Sequence, residues 1–230
     1  ADLTQRLQRR ESVDVWGPAG MGKTALAAEA IYRSIGDSEA ALAQSPYEDG
    51  VVLLDLYKLR GGAEEAWNHL ANAFDASLPT DQPRRERALA ACRARRALVI
   101  VEGAEEAGDG ENLTQMLSVL AAETVCLVLT RNKQQLRHAR PISVEAELAR
   151  DEALALLASC AAGSAPAPIL EDIYAVLGGH PLALTWSGRQ LAAREETPAA
   201  FLVALRGEAL REAALPGLNE PGNEHRTLHW

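Results

Sequence analysis

Eight residues, Gly17-Pro18-Ala19-Gly20-Met21-Gly22-Lys23-Thr24, constrain this chain more than any others. They satisfy the phosphate-loop pattern G-x-x-x-x-G-K-[ST] at every fixed position. The short apolar run Val13-Asp14-Val15-Trp16 precedes them and reads as a buried strand. Ala25-Leu26-Ala27-Ala28-Glu29-Ala30-Ile31 follows and has strong helix propensity. Strand, glycine loop and helix is the context in which this pattern has chemical meaning. The glycines let the backbone curl so that successive N–H groups face phosphate oxygens, and the helix N-terminus adds positive partial charge. Lys23 is expected to reach the β- and γ-phosphates of a nucleotide, and the Thr24 hydroxyl to ligate Mg²⁺. The other two lysines, Lys58 and Lys133, lie elsewhere.

The rest of the first 144 residues alternates strand and helix patterns. Leu3 to Arg10 reads as a short helix, and Ser45 to Gly50 as a turn cluster. Val51 to Leu56 is a near-continuous apolar run of the kind that a parallel strand covered on both faces requires. Ala97 to Val101 and Thr124 to Leu129 are further strand candidates. Helices are expected over 63–74, 84–95 and 113–121, the first with Trp67, Leu70 and Phe74 on one stripe. Such alternation implies a parallel sheet flanked by helices, with ligands bound beyond the strand C-termini. After Val144 the pattern becomes wholly helical, over 151–161, 169–177, 181–193 and 198–206, with Thr197 as an N-cap ahead of Pro198. From Leu215 the chain is rich in Gly, Pro, Asn and Glu and reads as a linker. It begins without Met and stops at Trp230, which suggests a piece of a longer protein.

Composition narrows the functional classes. The 47% apolar content supplies a real core, and 4% aromatics make that core aliphatic. A net charge of −9 argues against a dedicated nucleic-acid surface. The arginine run Arg93 to Arg96 reads as a solvated helix face or a phosphate neighbour. Cys92, Cys126 and Cys160 have neither zinc nor disulfide spacing and suit reduced thiols in a cytoplasmic protein. No signal peptide and no apolar run near 18 residues is present, so no membrane partner is expected.

Three further positions carry chemistry. Glu102 ends an apolar strand, where phosphate-loop enzymes place the acid that holds the Mg²⁺ water shell. A second acid often follows and orients the attacking water, but Gly103 leaves that place empty, so hydrolysis is expected to be slow or absent. On this reading Gly103→Asp would speed it. Glu105, Glu106 and Asp109 offer substitutes, although a solvated acidic loop is the plainer reading. Arg131, after the strand ending at Leu129, is placed to read a γ-phosphate by charge-assisted hydrogen bonds. Gly178-Gly179-His180-Pro181 ends one helix and starts the next, with His180 structural.

Taken together, GPAGMGKT at 17–24, DGVVLLDL at 49–56, LVIVEGAEEA at 98–107, LVLTR at 127–131 and GGHPLALTW at 178–186 resemble the NB-ARC (AP-ATPase) branch of the signal-transducing STAND ATPases. The resemblance implies an α/β phosphate-loop domain at 1–144, a small all-helical domain at 145–213, and a linker at 214–230 toward a winged-helix domain. It implies ADP or ATP as ligand with Mg²⁺, a binding loop running from Gly17 to Ala25, and contact of Pro181 with the nucleotide. Such modules rest with ADP, self-associate through the ATPase module after exchange for ATP, and drive effector and sensor domains elsewhere in the chain. They serve in innate immunity, cell death and bacterial transcription control. The rival expectations are a turnover ATPase or kinase of AAA-like type, and a scaffold that keeps its nucleotide as structural glue.

Overall fold

A computed structural model describes residues 2–59, 62–74, 83–105, 110–134, 136–193 and 197–213. The chain divides into two compact units between Glu145 and Ala146. The first unit opens with α1 (Asp2–Gln8), β1 (Ser12–Trp16), α2 (Lys23–Ile35) and α3 (Glu39–Gln44). It continues with β2 (Val51–Asp55), α4 (Gly62–Phe74), α5 (Arg84–Arg93) and β3 (Leu98–Glu102). It closes with α6 (Gly110–Glu123), β4 (Val125–Thr130) and β5 (Ala139–Ser143).

The five strands form one sheet in the order β2-β3-β4-β1-β5. Every neighbouring pair is parallel. The architecture is α/β, with helices on both faces. Against one face pack residues of α1 and α2, with Leu98, Leu127 and Val15 from the strands. Against the other pack α4, α5 and α6, with Val99, Val101 and Val128. Strand β4, flanked on both sides, is buried along its whole length, as a continuous apolar run in a parallel sheet requires.

Strand β2 departs from the sequence expectation. It lies at the sheet edge, and Val51 and Leu53 are 39% and 48% exposed, so it is not covered on both faces. An apolar run reports β propensity but not whether a helix will lie over each face. Two elements escaped the sequence reading. Helix α3 is short, with no buried residue, and is capped by Ser38, whose Oγ accepts the Ala41 N–H at 3.2 Å. Strand β5, Ala-Arg-Pro-Ile-Ser, lacks apolar alternation and contains a proline. Its place on the outer side of β1 makes the proline tolerable, because an edge strand can forgo one ladder donor.

Tyr47 and the arginine run tie separate segments of the unit together. Tyr47, inside the turn cluster, is fully buried and donates its hydroxyl to the Leu7 carbonyl at 2.6 Å, tying that turn to α1. Arg93 and Arg96 of the arginine run stay exposed, as a solvated face requires, yet each arginine of the run has a partner. Arg93 pairs with Glu123 at 2.5 Å, Arg95 donates to the Phe74 carbonyl at 2.5 Å, and Arg96 lies 3.4 Å from Glu48. Cys92 and Cys126 are buried free thiols, and burial pushes Cys92 up to about 12.

The second unit contains α7 (Arg150–Ala161), α8 (Ala167–Leu177), α9 (Pro181–Ala193) and α10 (Pro198–Ala213). Its core is built from Leu157, Ile173, Leu184 and Leu191 among others. At Gly188 a Cβ would lie 2.4 Å from the Cys160 Cβ and 3.0 Å from the Leu157 carbonyl, so α7 and α9 approach there as only glycine permits. Thr197 Oγ1 accepts the Ala200 N–H at 3.2 Å and caps α10. No helix among the described residues is long and apolar enough to cross a membrane. The linker at 214–230 lies outside the described residues.

Asp14, in the middle of β1, is 1% exposed. Its Oδ2 accepts the Gln134 N–H at 2.9 Å, and its Oδ1 faces Thr130 Oγ1 at 3.4 Å. Burial raises its pKa from 3.8 to about 6, and those two hydrogen bonds and the charge of Lys133 only partly oppose the shift. Between the two values the folded chain holds more protons than the unfolded chain, so this group's contribution to stability falls as pH rises from about 4 to about 6. The difference amounts to a cost on the order of 3 kcal/mol above that window. Asp14→Asn keeps an acceptor for Gln134 and removes the titration. Urea denaturation at several pH values is expected to show the variant gaining on the wild type between pH 4 and 7.

Candidate functional site

The strand C-termini bring the separated motifs to one edge of the first unit. Register pairs Trp16 with Thr130, Leu129 with Glu102, and Glu102 with Asp55. The residues just after β1, β4, β3 and β2 therefore stand side by side. The connection after β1 crosses to α2 on one face, whereas β2 and β3 lead to helices on the other. The chain thus switches direction between β1 and β4, the place where open parallel sheets form a crevice.

The glycine loop rises from β1 under close constraint. Gly17 donates its N–H to the Thr130 carbonyl at 3.2 Å, and a Cβ there would meet the Val144 carbonyl oxygen at 2.3 Å. Gly20 and Gly22 have φ of 75° and 86°, which only glycine adopts without cost. Pro18 is exposed, Ala19 half-buried, and Met21 turns inward at 7% exposure. Helix α2 starts at Lys23 with Gly22 as N-cap, no side chain capping it and no acid in its first turn. No cap and no first-turn acid of α2 itself takes the place of an anion there. Ala25 lies exposed in that first turn.

Lys23 folds back over the loop, its Nζ donating to the Gly17 and Pro18 carbonyls at 2.7 and 2.8 Å. Desolvation lowers its pKa, opposed by the carboxylates of Glu105 and Glu102, with Arg131 adding to the lowering. Thr24 Oγ1 donates to Glu102 Oε1 at 2.5 Å, so the two side chains expected to serve Mg²⁺ meet. A hydroxyl and one carboxylate are hard oxygen donors suited to an ion that keeps water and phosphate oxygens in its shell. Among the described residues no cluster of three or more His, Cys, Asp or Glu forms an all-protein metal cage. The residues present fit a nucleotide-borne Mg²⁺.

The acidic loop is not solvated throughout, contrary to the plainer sequence reading. The Glu105 side chain is 9% exposed. Its Oε1 lies 3.3 Å from Arg131 Nε and accepts the Tyr57 hydroxyl at 2.8 Å. Its Oε2 is buried with no hydrogen-bond partner among the described residues. Burial, reinforced by the Glu105 carboxylate, pushes the Tyr57 hydroxyl up to about 12. Glu106 and Asp109 lie outside the described residues. Tyr57 gave no sequence signal, because a tyrosine two residues past a strand is ordinary. Asp14 did give one: a carboxylate inside a run expected to be buried needs a partner. It pins Gln134, and with it the loop that carries Arg131.

Gly103 also departs from expectation. Its φ is 81°, and a Cβ would lie 2.8 Å from the Tyr57 ring. A side chain next to Glu102 therefore strains the backbone and must displace the Tyr57 ring, a folding cost that Gly103→Asp carries independently of any effect on hydrolysis.

In the second unit Pro181 is the first residue of α9. The His180 ring nitrogen Nδ1 accepts the Ala183 N–H at 3.4 Å, a capping role. Gly178 ends α8 at φ 65°, while the Gly179 carbonyl accepts the Leu148 N–H and the Gly179 N–H donates to the Glu147 carboxylate. A Cβ at Gly179 would meet the Leu148 carbonyl oxygen at 2.3 Å.

This sheet and its edge motifs define the fold of the P-loop ATPases. No protein-family model matches the chain, and no curated protein is found as its relative. Among solved structures it is similar to the ORC1 protein of Aeropyrum pernix in complex with DNA, at 16% identity and TM-score 0.60. That match covers 92% of this chain and 65% of the other. It is similar also to a Walker-type ATPase of Pyrococcus abyssi, at 15% identity and TM-score 0.56 over 93% of this chain and 75% of that one. A STAND protein with a tetratricopeptide repeat sensor from Pyrococcus horikoshii matches at 17% identity and TM-score 0.54. There the match covers 91% of this chain but only 31% of the other.

Gly103→Ala is expected to destabilise the first unit by about 1–2 kcal/mol from the left-handed backbone alone. The ring of Tyr57 must also move, breaking its bond to Glu105. Urea denaturation of the variant measures the loss.

Proposed function

We propose that this chain is a nucleotide-gated switch module of NB-ARC type, acting in the cytoplasm as part of a larger regulatory, defence or cell-death protein. It binds ADP or ATP with Mg²⁺ and couples γ-phosphate occupancy to closure of the helical unit and to self-association. The observation that carries the reading is the meeting of Lys23, the Thr24–Glu102 pair and Arg131 at adjoining strand ends above a glycine loop whose helix is uncapped. The similarity to a multidomain STAND protein supports placing the module in a longer switch.

In this reading the loop from Gly17 to Ala25 turns backbone N–H groups toward the phosphates. Lys23 gives up its two carbonyl acceptors for phosphate oxygens, Arg131 reads the γ-phosphate, and Pro181 touches the nucleotide from the helical unit. Thr24 and Glu102 would hold Mg²⁺, which neutralises phosphate charge. Glu102 also keeps the Thr24 hydroxyl oriented.

A second reading, a turnover ATPase, is favoured by one observation: Glu105, one of the substitute acids, has its Oε2 buried with no hydrogen-bond partner among the described residues. Steady-state turnover near the ~10 s⁻¹ typical of enzymes would decide for it, and a slow single cycle for the switch.

Lys23→Ala is expected to weaken both ADP and ATP by at least about a hundredfold, since two charge-assisted hydrogen bonds to phosphate are lost. Fluorescent-nucleotide titration of the folded variant checks it. Arg131→Ala is expected to weaken ATP relative to ADP by roughly ten- to a hundredfold, because a guanidinium on the γ-phosphate favours only the triphosphate. Equal losses for both nucleotides would remove Arg131 from the sensor role.

A further inference from the structure

The Glu105 carboxylate is difficult to explain as a stabilising feature. Its side chain is only 9% exposed, one of its oxygens serves both Tyr57 and Arg131, and the other has no partner among the described residues. A buried anion with half its acceptor capacity unmet costs stability unless something else requires it there. The surroundings indicate what that is. Lys23 and Arg131 both act on it electrostatically, and these are the two cations that the nucleotide-binding reading assigns to phosphate oxygens. Carboxylate and phosphate oxygens are both acceptor-only anions, and a guanidinium recognises either with the same donors.

We propose that Glu105 is a built-in competitor for the γ-phosphate, an acidic latch that holds Arg131 until a nucleoside triphosphate displaces it. The inference rests on the nucleotide-binding reading and adds a regulatory element to that site. Tyr57 is the second half of the latch, since its hydroxyl fixes the same oxygen at 2.8 Å. Its ring also fills the space over Gly103, where a Cβ would collide with it. A diphosphate carries no group that contends for Arg131, so the latch lowers triphosphate affinity selectively and biases the module toward the diphosphate state. A ligand shifts such an equilibrium only by its differential affinity for the two arrangements, and the γ-phosphate is the group that supplies the difference.

The test is a binding titration of the chain with ADP and with the non-hydrolysable analogue adenylyl imidodiphosphate, each at fixed Mg²⁺. Glu105→Gln, confirmed folded by circular dichroism, is expected to tighten the analogue about tenfold relative to ADP. In an Arg131→Ala background the same substitution is expected to change that ratio by less than about twofold, because the shared cation is gone. Should Glu105→Gln fail to fold, Glu105→Ala removes the same charge and carries the same expectation. An unchanged ratio, equal tightening of both ligands, or weaker analogue binding would overturn the latch. So would a gain that persists without Arg131, since that would mean simple charge repulsion. Failure of the wild-type chain to bind either ligand would overturn the nucleotide reading itself and the latch with it. Binding with an unaltered ratio would overturn the latch alone.

Discussion

The position of Gly17 is the constraint on which the rest of this structure depends. Its N–H continues the β1–β4 ladder to the Thr130 carbonyl, while the Val144 N–H reaches back to the Trp16 carbonyl at 2.8 Å. The root of the loop is thus held by strands on both sides, and the Val144 backbone comes too close for any side chain. Because β1 sits inside the sheet, the loop it launches has one place to go, over the C-terminal edge. Parallel register then delivers Arg131 and Glu102 to the same edge. A loop of this sequence at a free chain end would have the same glycines and no neighbours to work with.

Electrostatics at that edge is tightly coupled. Two cations, Lys23 and Arg131, share a small, partly desolvated volume with two carboxylates, Glu102 and Glu105. Desolvation penalises the Lys23 ammonium, and the carboxylates of Glu105 and Glu102 offset part of that penalty. The protein has satisfied its cations internally, Lys23 on loop carbonyls and Arg131 on Glu105. These contacts are of the kind that an anion with several oxygens can replace one for one. Asp14 acts beneath them from inside β1, holding the 131–134 loop by a backbone hydrogen bond despite the cost of its own burial.

The helical unit uses glycine for a different purpose. Gly178 and Gly179 do end a helix, as a glycine pair commonly does. Gly179 also lets the 147–148 segment dock on it, its carbonyl accepting the Leu148 N–H and its N–H donating to the Glu147 carboxylate at 3.0 Å. The entry to α9, where Pro181 stands, is therefore positioned by the chain that enters the unit, through contacts far apart in sequence.

By itself the sequence determined what local chemistry determines. The phosphate-loop glycines, the helix that follows them, the buried run of β4 and the Thr197 cap are all legible because each depends on residues within a few positions. Glu102 and Arg131 could be singled out from sequence because a strand end is a local feature. Only the tertiary structure decided which strands lie at the sheet edge, leaving Val51 and Leu53 exposed and giving the proline-bearing segment 139–143 a place as a strand. It also decided that the Glu105 side chain packs against Tyr57 and Arg131, and that a side chain at Gly103 would collide with the Tyr57 ring. These outcomes depend on contacts between residues far apart in the chain, such as Tyr57 with Glu105 and Ser12 with Ala139. No local pattern encodes such pairs, because burial and partnership are properties of the packed chain.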